Sequence, residues 1–307
     1  MDLHYDNVEA RKTLECIVEE CITSSPKQLH LLCYNQSDGA GANAHTIFTK
    51  KPAAWKLASP MDDDNNMSEE LVLWIQGVLC EKDLPPICQP TFIEPRRRRY
   101  IKQSISVTGF GATFFQACVD STRAVHTTFA QIFPEDKLEP WQPNEYHEHP
   151  AFEFGNRYFT HRNNATRDEI IPFKDSIDPH HLLKNSMGND YIHTQENNVE
   201  YFECYNGVDG SKYKNVNPVI FRIGDIVEVQ FSFIAISIRG GAYKILNVLR
   251  ALTLLDSKPR IEAEIRRSQA THHPIRTIAL KMKRQVGYLD DEEEGARKKV
   301  AKMTIND

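Results

Sequence analysis

The residues best suited to chemistry are a run of cations, Arg96-Arg97-Arg98-Arg99-Tyr100-Ile101-Lys102, with five positive charges in seven positions. Arginine binds phosphate bidentately, so Arg96, Arg97, Arg98, Arg99 and Lys102 are candidate contacts to a nucleic-acid backbone. The alternative is a solvated strand entrance neutralised by Glu94 and an acidic body. Neighbours on an extended segment point to opposite sides, so Arg96 with Arg98, or Arg97 with Arg99, should face one ligand. Two further clusters, Lys281-Met282-Lys283-Arg284 and Arg297-Lys298-Lys299 with Lys302, have the make-up of a nuclear import signal or a nucleic-acid arm. The acids Asp290 to Glu294 lie between them and would compete with phosphate. That favours the import reading, and with it a nuclear location over the cytoplasmic default.

Two other constellations offer catalytic chemistry. Glu203, Asp225 and Glu228 could gather around a divalent ion of the kind nucleases use to activate water, although Gln230 stands where a Glu-x-Lys pattern would place lysine. His147 and His149, two apart on an extended segment, point the same way and could hold one metal ion with His161, against a plainer reading as exposed imidazoles of a proline-flanked linker. The seven cysteines contain no close pair of the CxxC type and read as packed thiols. Gly39 and Gly41, and Gly109 and Gly111, lack the residues that complete a phosphate cradle and read as turns. No cofactor is expected.

The elements that must position these residues sit in a chain of 307 residues with 40% hydrophobic and 26% charged positions, enough for one large or two ordinary cores. No run approaches the roughly 18 apolar residues of a membrane crossing, so a soluble intracellular protein without a membrane partner is expected. The net charge is -5, yet residues 258–307 carry twelve Lys and Arg against eight Asp and Glu. The body is therefore acidic and the tail basic. Such a body argues against coating nucleic acid over the whole surface, while leaving local contact open.

Leu14, Ile17, Val18, Cys21 and Ile22 predict a helix capped by Asp6 or Asn7. Leu29 to Tyr34 reads as a strand, and the polar stretch to Met67 as a loop with a brief extended run at His45 to Thr49. Ser68, Glu69 and Glu70 ahead of the stripe Leu71, Trp74, Ile75, Val78 and Leu79 predict a helix over 69–81. A strand at Ile101 to Val107 and a helix over 112–133 follow. After a proline-rich, acidic stretch, extended segments at Tyr191 to Thr194, Val199 to Cys204, Val219 to Arg222, Ile226 to Ile238 and Tyr243 to Leu255 are separated by glycine turns. The expectation is an α+β chain. It has an α-rich domain at 1–135, a linker at 136–150, an antiparallel β-barrel-like domain at 151–257 packed with or following the helical half, and a charged, partly disordered tail at 258–307.

Phe221-Arg222-Ile223-Gly224-Asp225-Ile226-Val227-Glu228-Val229, the segment from Lys244 to Asp256, Glu94 to Tyr100 and Lys283 to Tyr288 carry a resemblance. On these residues the chain resembles an uncharacterised family present in many copies in mushroom-forming fungi. The resemblance implies no known activity and no catalytic residues, and multi-copy families of this kind accompany mobile elements, which implies nuclear work. The Gly-Asp-x-Val entry into a strand is also similar to the opening of small barrels that read chromatin or nucleic acid, such as BAH-like and OB-like domains. The expected function is thus a non-enzymatic nuclear binding module with DNA, RNA or chromatin proteins as partners. A metal-dependent nuclease or hydrolase competes with it, and a protein-interaction scaffold is the third reading.

Overall fold

α1 (Asn7–Ser24) begins where Asp6 Oδ1 accepts the amide hydrogens of Val8 and Glu9, and it buries Ala10, Leu14 and Val18 at four-residue spacing against Val78, Phe110 and Ile226. The computed structural model describes residues 1–24, 29–59, 68–88, 95–165, 170–207 and 210–271. Residues Met1–Arg266 form one unit, and Arg267–Asp307 a second, of which the description reaches Thr271. After α1 come β1 (His45–Lys50), β2 (Ala53–Ala58), β3 (Leu73–Asp83), β4 (Lys102–Thr108) and α2 (Thr113–Ala130). β5 (Asn144–Tyr146), β6 (His149–Arg157), β7 (Thr160–His161), α3 (Leu182–Met187) and β8 (Tyr191–Ile192) follow. The chain continues through β9 (Glu200–Gly207), β10 (Gly210–Asn215), β11 (Ile226–Ser237), β12 (Tyr243–Asp256) and α4 (Lys258–Thr271).

Ten of these strands form one mixed sheet in the order β1-β2-β11-β3-β4-β6-β12-β9-β10, with β5 paired to β6 and an additional pairing of β11 with β12. β12 runs parallel to β6 and β9, and the other pairings are antiparallel. This overturns the expected α+β arrangement of a helical N-terminal half packed with or followed by an antiparallel barrel-like half. β4 pairs with β6 from Lys102↔Arg157 to Thr108↔Ala151, so the two strands meet in register across the 136–150 stretch.

The stripe that predicts a helix over 69–81 belongs to β3. Leu73, Ile75, Gln76, Val78, Leu79 and Cys80 are all buried, because β3 lies between β4 and β11 with protein on both faces. A strand buried on both faces carries an almost continuous apolar run, and such a run satisfies a 3.6-residue period as readily as a two-residue one. Leu31–Cys33, expected as strand, is a 3-10 turn whose start is held by His30 Nδ1 accepting the Leu32 amide hydrogen at 3.0 Å. Val219 is likewise in a 3-10 turn, Pro218–Ile220, begun by the Asn217 side chain. β2 lies inside the stretch expected as loop; its alanines carry too little apolar contrast to announce a strand.

The longest pair, β11 with β12, covers all of the expected Tyr243 to Leu255 and the expected Ile226 to Ile238 as far as Ser237, and turns at Arg239-Gly240-Gly241. There Gly240 and Gly241 take φ of 85° and 72°, a region that costs glycine nothing. Phe231, Phe233, Leu249 and Leu252 from this hairpin, together with Phe115 and Phe129 of α2 and Phe152 and Phe154 of β6, fill the main core. α4 occupies the first part of the segment expected as partly disordered. The targeting residues Lys281, Lys283, Arg284, Arg297, Lys298 and Lys299 lie outside the described residues.

Candidate nucleic-acid interface

The arginine run is not extended. Pro95–Tyr100 is a 3-10 turn leading into β4, with the Ile101 amide donating to Arg98 at 3.2 Å, so successive side chains fan out by about a third of a turn instead of alternating. The expected pairing of alternate arginines on one side therefore does not apply. Arg97 and Arg99 are exposed and Arg98 is half-buried; the side chain of Arg96 lies outside the described residues. Arg99 stacks over the Tyr100 ring at 4.6 Å, and Tyr100 is itself 57% exposed. Lys102, the first residue of β4, is ion-paired with Glu153 of β6.

Tyr100 and Lys102 stand on a groove of about 560 Å³ whose floor is the divergence of β6 and β12. These strands touch at a single register point, Val248↔Gly155. Beyond it they separate, and Asn247 bridges the gap by donating from Nδ2 to the Glu153 carbonyl at 3.1 Å. The far wall is the segment from Glu139 to Asn144, held by the Glu139 amide donating to the Tyr243 carbonyl. This segment presents Trp141, half-buried and stacked on Phe152 with centroids 5.7 Å apart. The cations lining the groove are Lys102, Arg157 and Lys244. Lys102 pairs with Glu153 and Lys244 with Glu139, which leaves Arg157 with no carboxylate partner among the described residues. Crowding of its guanidinium by protein pushes Arg157 below the ordinary arginine range and the neighbouring Arg99 acts in the same direction, while the Tyr100 and Tyr191 phenols oppose them. Arg157 thus shares one concave surface with the rings of Tyr100 and Trp141, and Arg99 stands beside it through its stacking on Tyr100.

Trp141, Arg157 and Lys244 were not singled out by sequence reasoning. One signal was available for Trp141: a tryptophan between Pro140 and Pro143, in a stretch without periodicity, has no regular element in which to be buried. Arg157 and Lys244 carry none, because their neighbourhood is made by strands distant in sequence.

The acids of the nuclease reading are not brought together. The register Glu228↔Thr253↔Phe202 places Glu228 on the sheet face that includes Phe202, so Glu203, one residue further on, lies on the opposite face. Glu203 is ion-paired with Lys214. Asp225, fully buried, accepts from Arg260 Nε at 2.6 Å and from the Arg222 amide at 2.7 Å. Burial nevertheless holds its carboxyl above the usual value, outweighing Arg260 and the amide. Glu228 is 4% exposed and accepts from Gln76 Nε2 at 2.7 Å, while Gln76 Oε1 accepts from His30 Nε2. Since His30 Nδ1 already accepts the Leu32 amide, the ring proton sits on Nε2, and burial lowers the His30 pKa.

The proposed histidine site fares similarly. His147 and Glu148 take φ of 47° and 65° and form the tight turn between β5 and β6, so His147 and His149 do not share an extended segment. His161 accepts the Asn163 amide and faces Tyr191. Among the described residues no group of three or more His, Cys, Asp or Glu is arranged to hold a metal ion.

Burial raises the Glu228 pKa above its ordinary 4.5, against the hydrogen bonds from Gln76 and Gln230. A raised folded-state pKa carries a penalty that is absent below pH 4.5, grows as pH rises from there to the folded value, and is constant above it. Glu228→Gln is therefore expected to stabilise the protein by about 1 kcal/mol at pH 7 and by nothing measurable at pH 4. Urea unfolding at the two pH values checks this, and loss of stability at pH 7 would show that the charge itself is needed.

No model of a known protein family matches the chain, and no curated protein matches it. None of the four helices is long and apolar enough to cross a membrane, among the described residues.

Proposed function

We propose that the chain is a non-enzymatic module that binds single-stranded nucleic acid in the groove between β6 and β12. The observation that carries this reading is Arg157, without a carboxylate partner among the described residues, lining one groove with the rings of Tyr100 and Trp141, with Arg99 stacked on Tyr100 at its edge. Phosphates of a strand are held by the guanidiniums, and bases stack on the rings, the combination that single-strand binders use without sequence preference. A groove of about 560 Å³ has room for a nucleotide or two and none for a duplex some 20 Å across. The basic clusters near residues 281–284 and 297–302 support placing this activity in the nucleus.

Fluorescence anisotropy of labelled single-stranded and duplex oligonucleotides across salt concentrations tests the reading. The parent is expected to bind single strands more tightly than duplex, with log affinity falling linearly against log salt. Replacing both Arg99 and Arg157 with alanine removes two phosphate contacts and should flatten the single-strand slope by about 1.4 units. Added magnesium or manganese should leave the oligonucleotides intact. Absence of binding to any oligonucleotide at low salt would overturn the reading and leave the protein-interaction scaffold in its place.

A further inference from the structure

The mixed sheet ends at β1 on one side and at β10 on the other. A border strand pairs through one of its edges only, and along the other edge the N–H and C=O groups of alternate residues have no ladder partner among the described residues. The two borders are built differently. β10 sets Lys212 and Lys214 on either side of Tyr213, and lysines along an edge oppose the approach of a second strand. β1 has a single lysine, Lys50, at the end where the chain turns into β2, and carries Ile47 and Phe48 at its centre.

Phe48 is 48% exposed although it belongs to an aromatic row. Trp55 stands opposite it in register, with the ring centroids 5.2 Å apart. Trp55 meets Phe133 edge-on at 6.1 Å, and Phe133 stacks on Tyr243 at 3.9 Å. The row therefore runs outward from the core to β1 and stops at an open ring on the border of the sheet.

We propose that β1 is the interface of a homodimer in which two copies join their β1 strands antiparallel about a two-fold axis, so that the sheet continues from one protomer into the other. In such a pair one residue faces its own copy, because the hydrogen-bonding groups of a free edge recur at every second residue. An axis through Phe48 brings the two exposed rings together as a cross-strand aromatic pair, a contact that stabilises paired strands. The same register sets Ile47 opposite Thr49 and Lys50 opposite Thr46, so no like charges face each other. A strand of unrelated sequence would gain the backbone hydrogen bonds without this matched set of side chains, which makes a second copy the fitting occupant. Six residues per copy are fewer than the roughly 20–30 of a standard interface, so association is expected at micromolar concentrations.

Sedimentation equilibrium of the full chain from about 1 to 200 μM should show the mass rising from one chain towards two. Phe48→Lys sets two ammonium groups against each other at the axis and should weaken association about tenfold or more, while circular dichroism of the variant stays that of the parent. Oxidative cross-linking reads the register separately. Phe48→Cys brings two thiols within disulfide reach across the axis, whereas Lys50→Cys holds them about 13 Å apart. The parent, whose Cys16 and Cys88 are exposed, supplies the background, and cross-linking above it is expected at position 48 and not at position 50. A parent that stays monomeric throughout would overturn the dimer and leave the edge to an extended segment of another protein. Association undiminished by Phe48→Lys would overturn β1 as the interface, and equal cross-linking at the two positions would overturn the axis at Phe48.

Discussion

Phe231→Ala is expected to lower the unfolding free energy by about 4 kcal/mol. Phe231 is 0% exposed on β11, the strand that pairs with β2, β3 and β12, and its ring contacts Phe154 at 4.7 Å and Phe233 at 5.1 Å between centroids. Truncation removes the transfer energy of a whole ring and leaves a cavity in a region where three strands hold the backbone and prevent collapse. The register shift between Gln230 and Phe231 adds to this, because the local twist there aims the ring into the core. Urea denaturation should show a lowered midpoint with an unchanged slope. The control is Phe48→Ala on the edge strand β1, where the ring is 48% exposed and the cost should stay below about 1 kcal/mol. Equal costs at the two positions would mean that Phe231 is not held in the packed core.

Arg250→Ala is expected to cost about 3 kcal/mol, through charge instead of volume. Arg250 of β12 donates to Glu70 and to Glu196, and Lys56 of β2 donates to the same two carboxylates at 2.7 Å each, so four alternating charges close a ring. Ser232 contributes a longer contact to Arg250. Removing the arginine leaves two acids with one lysine in a partly buried site. The figure sits at the low end of the range for a broken buried pair because the Glu196 side chain remains 34% exposed. Burial alone would raise the Glu70 pKa, but Arg250 and then Lys56 more than offset it and hold Glu70 below its ordinary 4.5. A depressed carboxylate contributes stability that is present above pH 4.5 and is lost as pH falls through the folded value. The difference between Arg250→Ala and the parent should therefore narrow in acid below pH 4.5, which urea unfolding at pH 7 and pH 3.5 measures. A constant difference at both would assign the effect to packing of the arginine stem.

The arginine run illustrates how far composition carries a site. Five cations in seven residues are visible in the chain as written, and one of them, Lys102, lines the groove. Their partners are not visible. Arg157, Trp141 and Lys244 come from β6, the segment before β5, and β12, and nothing in their local spacing says that β6 and β12 part after one register point. Arg98 and Gly188 are ninety positions apart and meet only because α3 ends beside the arginine turn. The acids of the nuclease reading show the reverse. Their types suited a metal, but the two-residue period of a strand places Glu203 and Glu228 on opposite faces, and that depends on a register set by β12.

What the sequence by itself determined was the local structure whose signal is local. α1 and α2 follow from one apolar stripe each, and the β11–β12 hairpin follows from two long extended runs around Arg239-Gly240-Gly241, where backbone sterics leave glycine as the residue of choice. What only the tertiary structure decided was whether an apolar run lies on one face or two. β3 reads as a helix until β4 and β11 flank it, since a segment buried on both sides has no polar face to reveal its period. The mixed sheet follows from that choice: once β3 is a strand it pairs with both β4 and β11, residues more than a hundred positions apart share one hydrogen-bonded surface, and the contacts that settle this are absent from any window of the sequence.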